Sequence, residues 1–125
     1  MMKDIAFTCD MEVRDYECDL QGIVNNSVYQ NYLEHTRHTY IKSLGLDFAV
    51  LSEKGINLVV KRVEIDYQTP LKRGDEFTSV LKMERLSPLR FGFVQHIYRI
   101  PDNKLVIKAL VVGTAINQRG RPELP

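Results

Sequence analysis

The stretch from residue 17 to residue 32, ECDLQGIVNNSVYQNY, holds the residue types that could do chemistry. Asp19 and Gly22 lie just before a run with helical spacing that starts near Asn26. A carboxylate held there can act as a general base or as a nucleophile. A helix N-terminus adds unpaired N–H groups and a positive dipole end, which bind negative charge developing on an oxygen. The alternative for Asp19 is a plain loop residue, because aspartate is common in turns.

A second carboxylate, Glu34, competes with Asp19 for a catalytic role. It lies eight residues beyond Asn26, about two helical turns along and on nearly the same face. Its alternative is a surface pair with Arg37 or His38, which follow it at helical spacing. The sequence therefore offers two carboxylates for one candidate site.

The element that must position these groups is one helix over residues 27–45, about five turns long. Asn26 or Ser27 is expected to cap its start, and Ser27 with Gln30 fits the capping-box pattern. Gly45 is expected at the C′ position. Side chains that recur at helical spacing predict the buried face: Val28, Tyr29, Tyr32, Leu33, Thr36, Tyr40, Ile41 and Leu44.

The rest of the chain predicts strands joined by short turns, with one short helix over DFAVLSEKG capped by Asp47 and ended by Gly55. One strand precedes the long helix, within DIAFTCDMEVRDY. Four follow it, and PDN marks a hairpin turn between the last two. The four are INLVVKRVEIDYQ, EFTSVLKMERL, RFGFVQHIYRI and KLVIKALVVGTAIN. Segregated strands and one long helix predict an α+β fold with an antiparallel sheet packed across the helix.

Length and composition limit the class of protein. The 125 residues are 44% hydrophobic and 26% charged with net charge +1, which predicts one domain over residues 1–125 and no nucleic-acid partner. No apolar run of membrane-spanning length and no signal peptide are visible, so no membrane partner is expected. Cys9 and Cys18 lack C-x-x-C spacing, which favours free thiols in a reducing cytoplasm. No metal or cofactor is expected, and no catalytic role is assigned to His35, His38 and His96.

Three stretches resemble a known family. VRDYECDLQGIVNNSVYQNYLEHTR, VVKRVEIDYQTPLKRGDEF and VGTAINQRGRPELP are similar, in this order, to hotdog-fold acyl-CoA thioesterases of the 4-hydroxybenzoyl-CoA thioesterase type. The resemblance implies a five-stranded antiparallel sheet wrapped around a long central helix. It also implies a homodimer or homotetramer, with active sites between protomers.

The resemblance also implies roles for individual residues. Asp19 matches the catalytic aspartate, Gly22 the bend in its loop, and the N–H of Asn26 the donor that polarises the thioester carbonyl. A related branch of the family carries a catalytic glutamate on the helix, so Glu34 remains the rival of Asp19. Tyr29 is expected to line the acyl pocket. Coenzyme A carries phosphates, for which the candidate ligands are Arg62, Arg90 and Arg121.

Several functions remain open at this point. The leading one is hydrolysis of acyl-CoA to free acid and coenzyme A. The alternatives are an acyl-[acyl carrier protein] thioesterase, which would favour a basic docking face, and a non-catalytic acyl-CoA binding protein. A hotdog dehydratase is disfavoured, because Ile23 stands in the loop where that class carries histidine.

Overall fold

The computed structural model of the protein describes residues 2–46 and 48–124, which form one antiparallel sheet and two helices. The strand order in the sheet is β1-β3-β4-β5-β2, and α1 packs on one face. The predicted α+β architecture is therefore confirmed. The elements are β1 (Phe7–Glu12), α1 (Asn26–Ser43), α2 (Phe48–Glu53), β2 (Asn57–Tyr67), β3 (Glu76–Ser87), β4 (Arg90–Ile100) and β5 (Lys104–Ile116).

The predicted apolar face of α1 is largely confirmed by its contacts with the sheet. The Tyr32 ring packs on Phe77 with centroids 4.7 Å apart. The Thr36 hydroxyl donates to the Tyr32 carbonyl at 2.9 Å and forms a second hydrogen bond with the Ser79 hydroxyl at 2.8 Å. Leu44 differs from the prediction because it is 54% exposed beyond the last helical turn. The buried residues of α1 are Tyr29, Tyr32, Leu33, Thr36 and Ile41.

The C-terminal end of α1 has the predicted glycine. Gly45 has φ of +79°, which side-chain-bearing residues rarely adopt, and its N–H donates to the Lys42 carbonyl at 3.0 Å. The Leu46 N–H donates to the Ile41 carbonyl at 3.3 Å, which completes a Schellman motif. The predicted cap of α2, Asp47, lies outside the described residues. No helix within residues 2–46 and 48–124 combines the length and the apolar character needed to cross a membrane.

Strand β2 forms one edge of the sheet, because it pairs with β5 alone. Val63 and Tyr67 stand opposite the buried Val111 and Ile107, so they lie on the face toward α1. Three apolar residues on this face of β2 remain exposed, at 52%, 37% and 49%: Val60, Val63 and Tyr67. Helix α1 therefore leaves an uncovered apolar strip along the inner face of the edge strand.

Candidate active site

The loop that carries Asp19 is a tight turn closed by an antiparallel bridge between Cys18 and Val24. The Asp19 N–H donates to the Ile23 carbonyl at 2.9 Å, and the Gly22 N–H donates to the Asp19 carbonyl at 3.0 Å. Gly22 has φ of +79°, and an added Cβ would meet nothing within 4 Å. The backbone conformation alone therefore favours glycine there, as expected for the bend of the loop.

The Asp19 carboxylate has one oxygen in the turn and one that faces no protein donor. Oδ1 accepts the N–H groups of Gln21 at 2.9 Å and Ile23 at 3.2 Å. Within the described residues no hydrogen bond or ion pair reaches Oδ2. The plain turn role and a chemical role are therefore compatible, because they use different oxygens of one exposed side chain.

The start of α1 lacks a side-chain cap, so the expectation that Asn26 or Ser27 supplies one is wrong. The N-cap residue is Asn25, and its Nδ2 donates to the Glu17 carbonyl at 3.4 Å instead of capping the helix. Asn26 and Ser27 are the first two helical residues. In the part of the chain that the structure describes, their N–H groups have no acceptor. These two donors, at the positive end of the helix dipole, are available to a ligand.

A cleft of about 140 Å³ lies beside these donors. Asn26 and Tyr29 line it from α1, and Tyr67 lines it from the end of β2. The Tyr29 hydroxyl accepts the Leu71 N–H at 2.9 Å, and burial raises the pKa of Tyr29, so the side chain stays a neutral phenol. Tyr29 therefore lies in the first turn of α1 and lines this cleft, and its place in an acyl pocket stays a prediction.

Glu34 lies in a different cleft, of about 210 Å³. Asn26 and Glu34 are about 12 Å apart along α1, so one protomer does not bring Glu34 to the helix start. Burial lowers the pKa of Arg37 and the charge of Glu34 opposes that shift, while the Arg37 guanidinium donates to the Gln95 side-chain oxygen at 3.2 Å. The cleft has a polar rim and apolar walls: Glu34, Arg37 and His38, then Leu58, Val59, Val60, Phe91, Phe93, Val111 and Gly113.

The hydrogen bond between the buried carboxylate of Glu17 and Tyr32 is not predicted by the sequence. Glu17 Oε1 accepts the Tyr32 hydroxyl at 2.8 Å and the Arg14 N–H at 2.8 Å. Burial, then the bond to Glu17, raises the pKa of Tyr32 well above its usual range, so Tyr32 remains a donor. Helical spacing predicts that Tyr32 lies in the apolar stripe of α1, and no sequence pattern predicts a role for Glu17. The only signal was an acidic residue two positions before Asp19.

The three candidate phosphate ligands are not brought together with Asp19 in one protomer. Arg62 pairs with Glu64 and borders a shallow cleft with His96 and Lys108, on the outer face of the sheet. Residues 90 and 121 lie near Ile116, at the end of β5. Ile107, which pairs with Tyr67 beside the cleft at the helix start, is about 30 Å away along the same strand. The phosphate role of the three arginines stays a prediction. Across residues 2–46 and 48–124, no group of three His, Cys, Asp or Glu side chains could hold a metal ion.

Comparison of the chain with known proteins identifies its family. Residues 13–125 match the model of the Thioesterase-like superfamily. The chain is 32% identical over 113 residues to a chloroplastic acyl-acyl carrier protein thioesterase of Arabidopsis thaliana, covering 90% of this chain and 60% of that protein. It is 25% identical over 114 residues to a long-chain acyl-CoA thioesterase of Escherichia coli, covering 91% and 86%.

The fold agrees with a solved structure. A 1,4-dihydroxy-2-naphthoyl-CoA thioesterase from Synechocystis superposes with a TM-score of 0.88 at 21% identity, covering 95% of this chain and 88% of that one. The predicted hotdog fold is therefore confirmed. The chain spans 60% of the length of the Arabidopsis proteins that it matches. With a family model that covers residues 13–125, this chain belongs to the thioesterase-like superfamily.

Proposed function

We propose that the protein hydrolyses acyl thioesters, with acyl-CoA as the substrate and Asp19 as the catalytic carboxylate. One observation carries the proposal. The loop of Asp19 leads directly into the start of α1, where the N–H groups of Asn26 and Ser27 have no protein acceptor. A carboxylate oxygen and a pair of oxyanion donors are the two groups that acyl transfer requires.

The reaction follows from these positions. The thioester carbonyl oxygen accepts the free N–H groups of α1, which bind the negative charge as it develops. Asp19 Oδ2 either takes a proton from the attacking water or attacks the carbonyl carbon itself. On the first route the carbon–sulfur bond breaks, the acyl group is released directly as the free acid, and the leaving thiolate takes up the proton that Asp19 removed from water. On the second route the thiolate leaves the acyl group on Asp19 as an anhydride, and a water then hydrolyses the anhydride to the free acid and supplies the proton of the thiol.

The acyl chain is proposed to lie along the flank between α1 and β2. The cleft beside Asn26 opens at one end of this flank, and the cleft beside Glu34 lies toward the other. Between the two clefts, β2 presents the uncovered apolar side chains of Val60, Val63 and Tyr67. Covering that strip with an acyl chain would bury apolar surface, which favours binding.

A homodimer that pairs the two β2 edges fits the same surface. An exposed edge strand presents free backbone groups to a second strand. Antiparallel pairing around a two-fold axis would set the Asn57 end of β2 in one protomer beside the Tyr67 end in the other. Arg90 and Arg121 could then serve the helix start of the neighbouring protomer. A homotetramer would need a further contact surface.

The second candidate is hydrolysis of thioesters on acyl carrier protein. The end of the molecule that holds the last turn of α1 and the β3–β4 turn carries several cations in the described residues: Lys42, Lys54, Arg90, Arg119 and Arg121. A basic face suits an acidic carrier protein. The Arabidopsis relative is named for that substrate. Comparing kcat/KM for one acyl group on coenzyme A and on carrier protein decides between the two.

The test of the catalytic assignment is thiol release from a panel of acyl-CoAs. Asp19→Asn should lower kcat by about 10²–10⁴-fold, because general-base catalysis contributes that much. The amide Oδ1 can still accept the two N–H groups of the turn, so thermal stability should change little. Glu34→Gln is the matched control, with a kcat close to that of the wild type.

Three outcomes would change the conclusion. Normal turnover by Asp19→Asn would remove Asp19 from the mechanism. A large loss in Glu34→Gln alone would transfer the role to Glu34. Tight binding of acyl-CoA without cleavage of any thioester by the wild type would favour the non-catalytic binding protein.

A further inference from the structure

Glu17 is a buried carboxylate that the proposed reaction does not use. The side chain of Glu17 is 11% exposed in the structure, and burying a charge is costly unless hydrogen bonds compensate for the lost water. Two donors converge on Oε1, the Tyr32 hydroxyl and the Arg14 N–H, each at 2.8 Å. Because the Glu17 carboxylate is buried and hydrogen-bonded, it is not an ordinary surface charge, and its position needs a structural or functional reason.

The main chain of Glu17 is bound to the helix as well. Its carbonyl accepts the Asn25 N–H at 3.1 Å and the Asn25 Nδ2 at 3.4 Å. Asn25 is the N-cap of α1, whereas Tyr32 lies in its second turn. One residue is therefore bound by its side chain and its main chain to two separate points of the same helix.

The other bonds of the loop do not make this connection. Among the described residues, Asp19 bonds only within its own turn, to Gln21, Gly22 and Ile23. The Arg73 N–H donates to the Gly22 carbonyl at 3.0 Å, which ties the loop to the β2–β3 connection. Glu17 is thus the residue whose hydrogen bonds hold the chain segment before Asp19 against α1.

We propose that Glu17, held by Tyr32, is a positioning residue that sets the Asp19 carboxylate relative to the free N–H groups of Asn26 and Ser27. The inference rests on the proposed hydrolysis. Asp19 is two residues beyond Glu17, so a shift of the bound carboxylate carries directly to Asp19. A misplacement of about 1 Å can lower a rate about 10²-fold. The loss should fall on kcat, because the groups of Glu17 face the protein and not the cleft.

The variants separate geometry from charge. Tyr32→Phe and Glu17→Ala remove the buried bond and should lower kcat by about 10–100-fold with KM within about twofold of the wild type. Glu17→Gln should retain most of kcat, because the amide oxygen can accept both bonds that Oε1 accepts now. The matched control is Thr36→Val, which removes the buried bonds of the Thr36 hydroxyl to Ser79 and to the Tyr32 main-chain carbonyl but keeps the Tyr32 hydroxyl that binds Glu17. It should lower thermal stability and leave kcat unchanged.

A double-mutant cycle tests whether Glu17 acts through Asp19. In an Asp19→Asn background, Tyr32→Phe should cause no further loss of kcat, because there is no catalytic carboxylate left to position. Additive losses would overturn the inference. A kcat as low in Glu17→Gln as in Glu17→Ala would also overturn it, because charge and not geometry would then matter.

Amide hydrogen exchange gives a readout that does not depend on turnover. The N–H groups of Gln21 and Ile23 donate to Asp19, so Tyr32→Phe should accelerate their exchange, and Thr36→Val should not. If the wild type cleaves no thioester but exchange responds in this way, Glu17 orders the loop and the proposed function fails. If the wild type is active and neither exchange nor kcat responds to Tyr32→Phe, the positioning role fails alone.

Discussion

At the scale of the residue, Asp19 uses one carboxylate oxygen in its turn and leaves the other for the proposed chemistry. Oδ1 accepts two N–H groups of the turn, and Oδ2 points to no protein donor within the described residues. The turn bonds hold the carboxylate in one orientation, which lowers the entropy lost when a substrate binds. Aspartate is suited to both roles, because its ionised form offers four acceptor positions on two oxygens.

His96, on the outer face of the sheet, leads to a prediction on pH. Met2 N–H donates to the Tyr98 hydroxyl at 3.0 Å, so Tyr98 can donate to His96 Nδ1 at 2.8 Å and favour the neutral ring. Burial, then the charges of Lys108, Lys82 and the N-terminus, lowers the pKa of His96. The unfolded chain then binds the proton more readily, so the free energy of unfolding should fall as pH drops below about 6.5.

The measurement is the melting temperature between pH 7.5 and pH 5.5. The wild type should lose stability over this range, and His96→Gln should lose less of it. Equal slopes for the two proteins would show that His96 is not the group that senses acid.

At the scale of the element, the two ends of α1 are built differently for a physical reason. The C-terminal end has a complete Schellman motif at Gly45. The N-terminal end leaves Asn26 and Ser27 without acceptors for their N–H groups. An uncapped helix start costs stability but offers donors to a ligand. The C-terminal end of α1 is thus closed by its own hydrogen bonds, and the N-terminal end keeps two donors for the proposed substrate.

Gly45 provides a test of the C-terminal end. An alanine Cβ would meet no atom within 4 Å, so Gly45→Ala changes only the cost of the left-handed conformation. We expect a loss of about 1 kcal/mol in the free energy of unfolding, measured by denaturant titration. No loss would mean that the helix ends elsewhere.

Ser27 provides the complementary test of the N-terminal end. Its hydroxyl makes no cap bond, so Ser27→Ala should change the free energy of unfolding by less than about 0.5 kcal/mol. A capping serine would cost about 1 kcal/mol, and a loss of that size would restore the original capping prediction.

At the scale of the whole molecule, the order β1-β3-β4-β5-β2 leaves β1 and β2 as the two edges. The edges differ in character. β2 exposes Val60, Val63 and Tyr67 on the face toward α1, whereas the exposed residues of β1 are polar, with Thr8, Asp10 and Glu12 alternating along the strand. An apolar edge is the one that a second copy of the chain can cover. The proposed active site lies on the same flank.

Val63→Lys tests the dimer across β2. A lysine on the edge strand opposes pairing, so sedimentation should show a mass near the 14.5 kDa of one chain where the wild type shows twice that value. Thr8→Lys, on the opposite edge, is the control and should remain dimeric. A wild type of 14.5 kDa at all concentrations would contradict the dimer, and dissociation of Thr8→Lys alone would place the interface on β1.

Local features were predictable from the sequence because neighbouring residues decide them. The helix, the five strands and the Gly22 and Gly45 turns follow from periodicity and from the φ angles that glycine tolerates. The resemblance to a family singled out Asp19, and its catalytic role stays a prediction. The cap of α1 was mispredicted, because the Asn25 side chain bonds to a residue eight positions away and not to its own helix.

Only the tertiary structure decided which distant residues meet. Glu17 and Tyr32 are fifteen residues apart and bond in the interior, which no pattern in the chain encodes. The separation of Glu34 from the helix start, and the position of β2 at an edge, likewise depend on pairings between strands far apart in sequence. Such contacts form only when the burial of the whole core offsets the entropy lost in closing long loops. The sequence determined the elements and their candidate chemistry, and packing determined which of the candidates share a site.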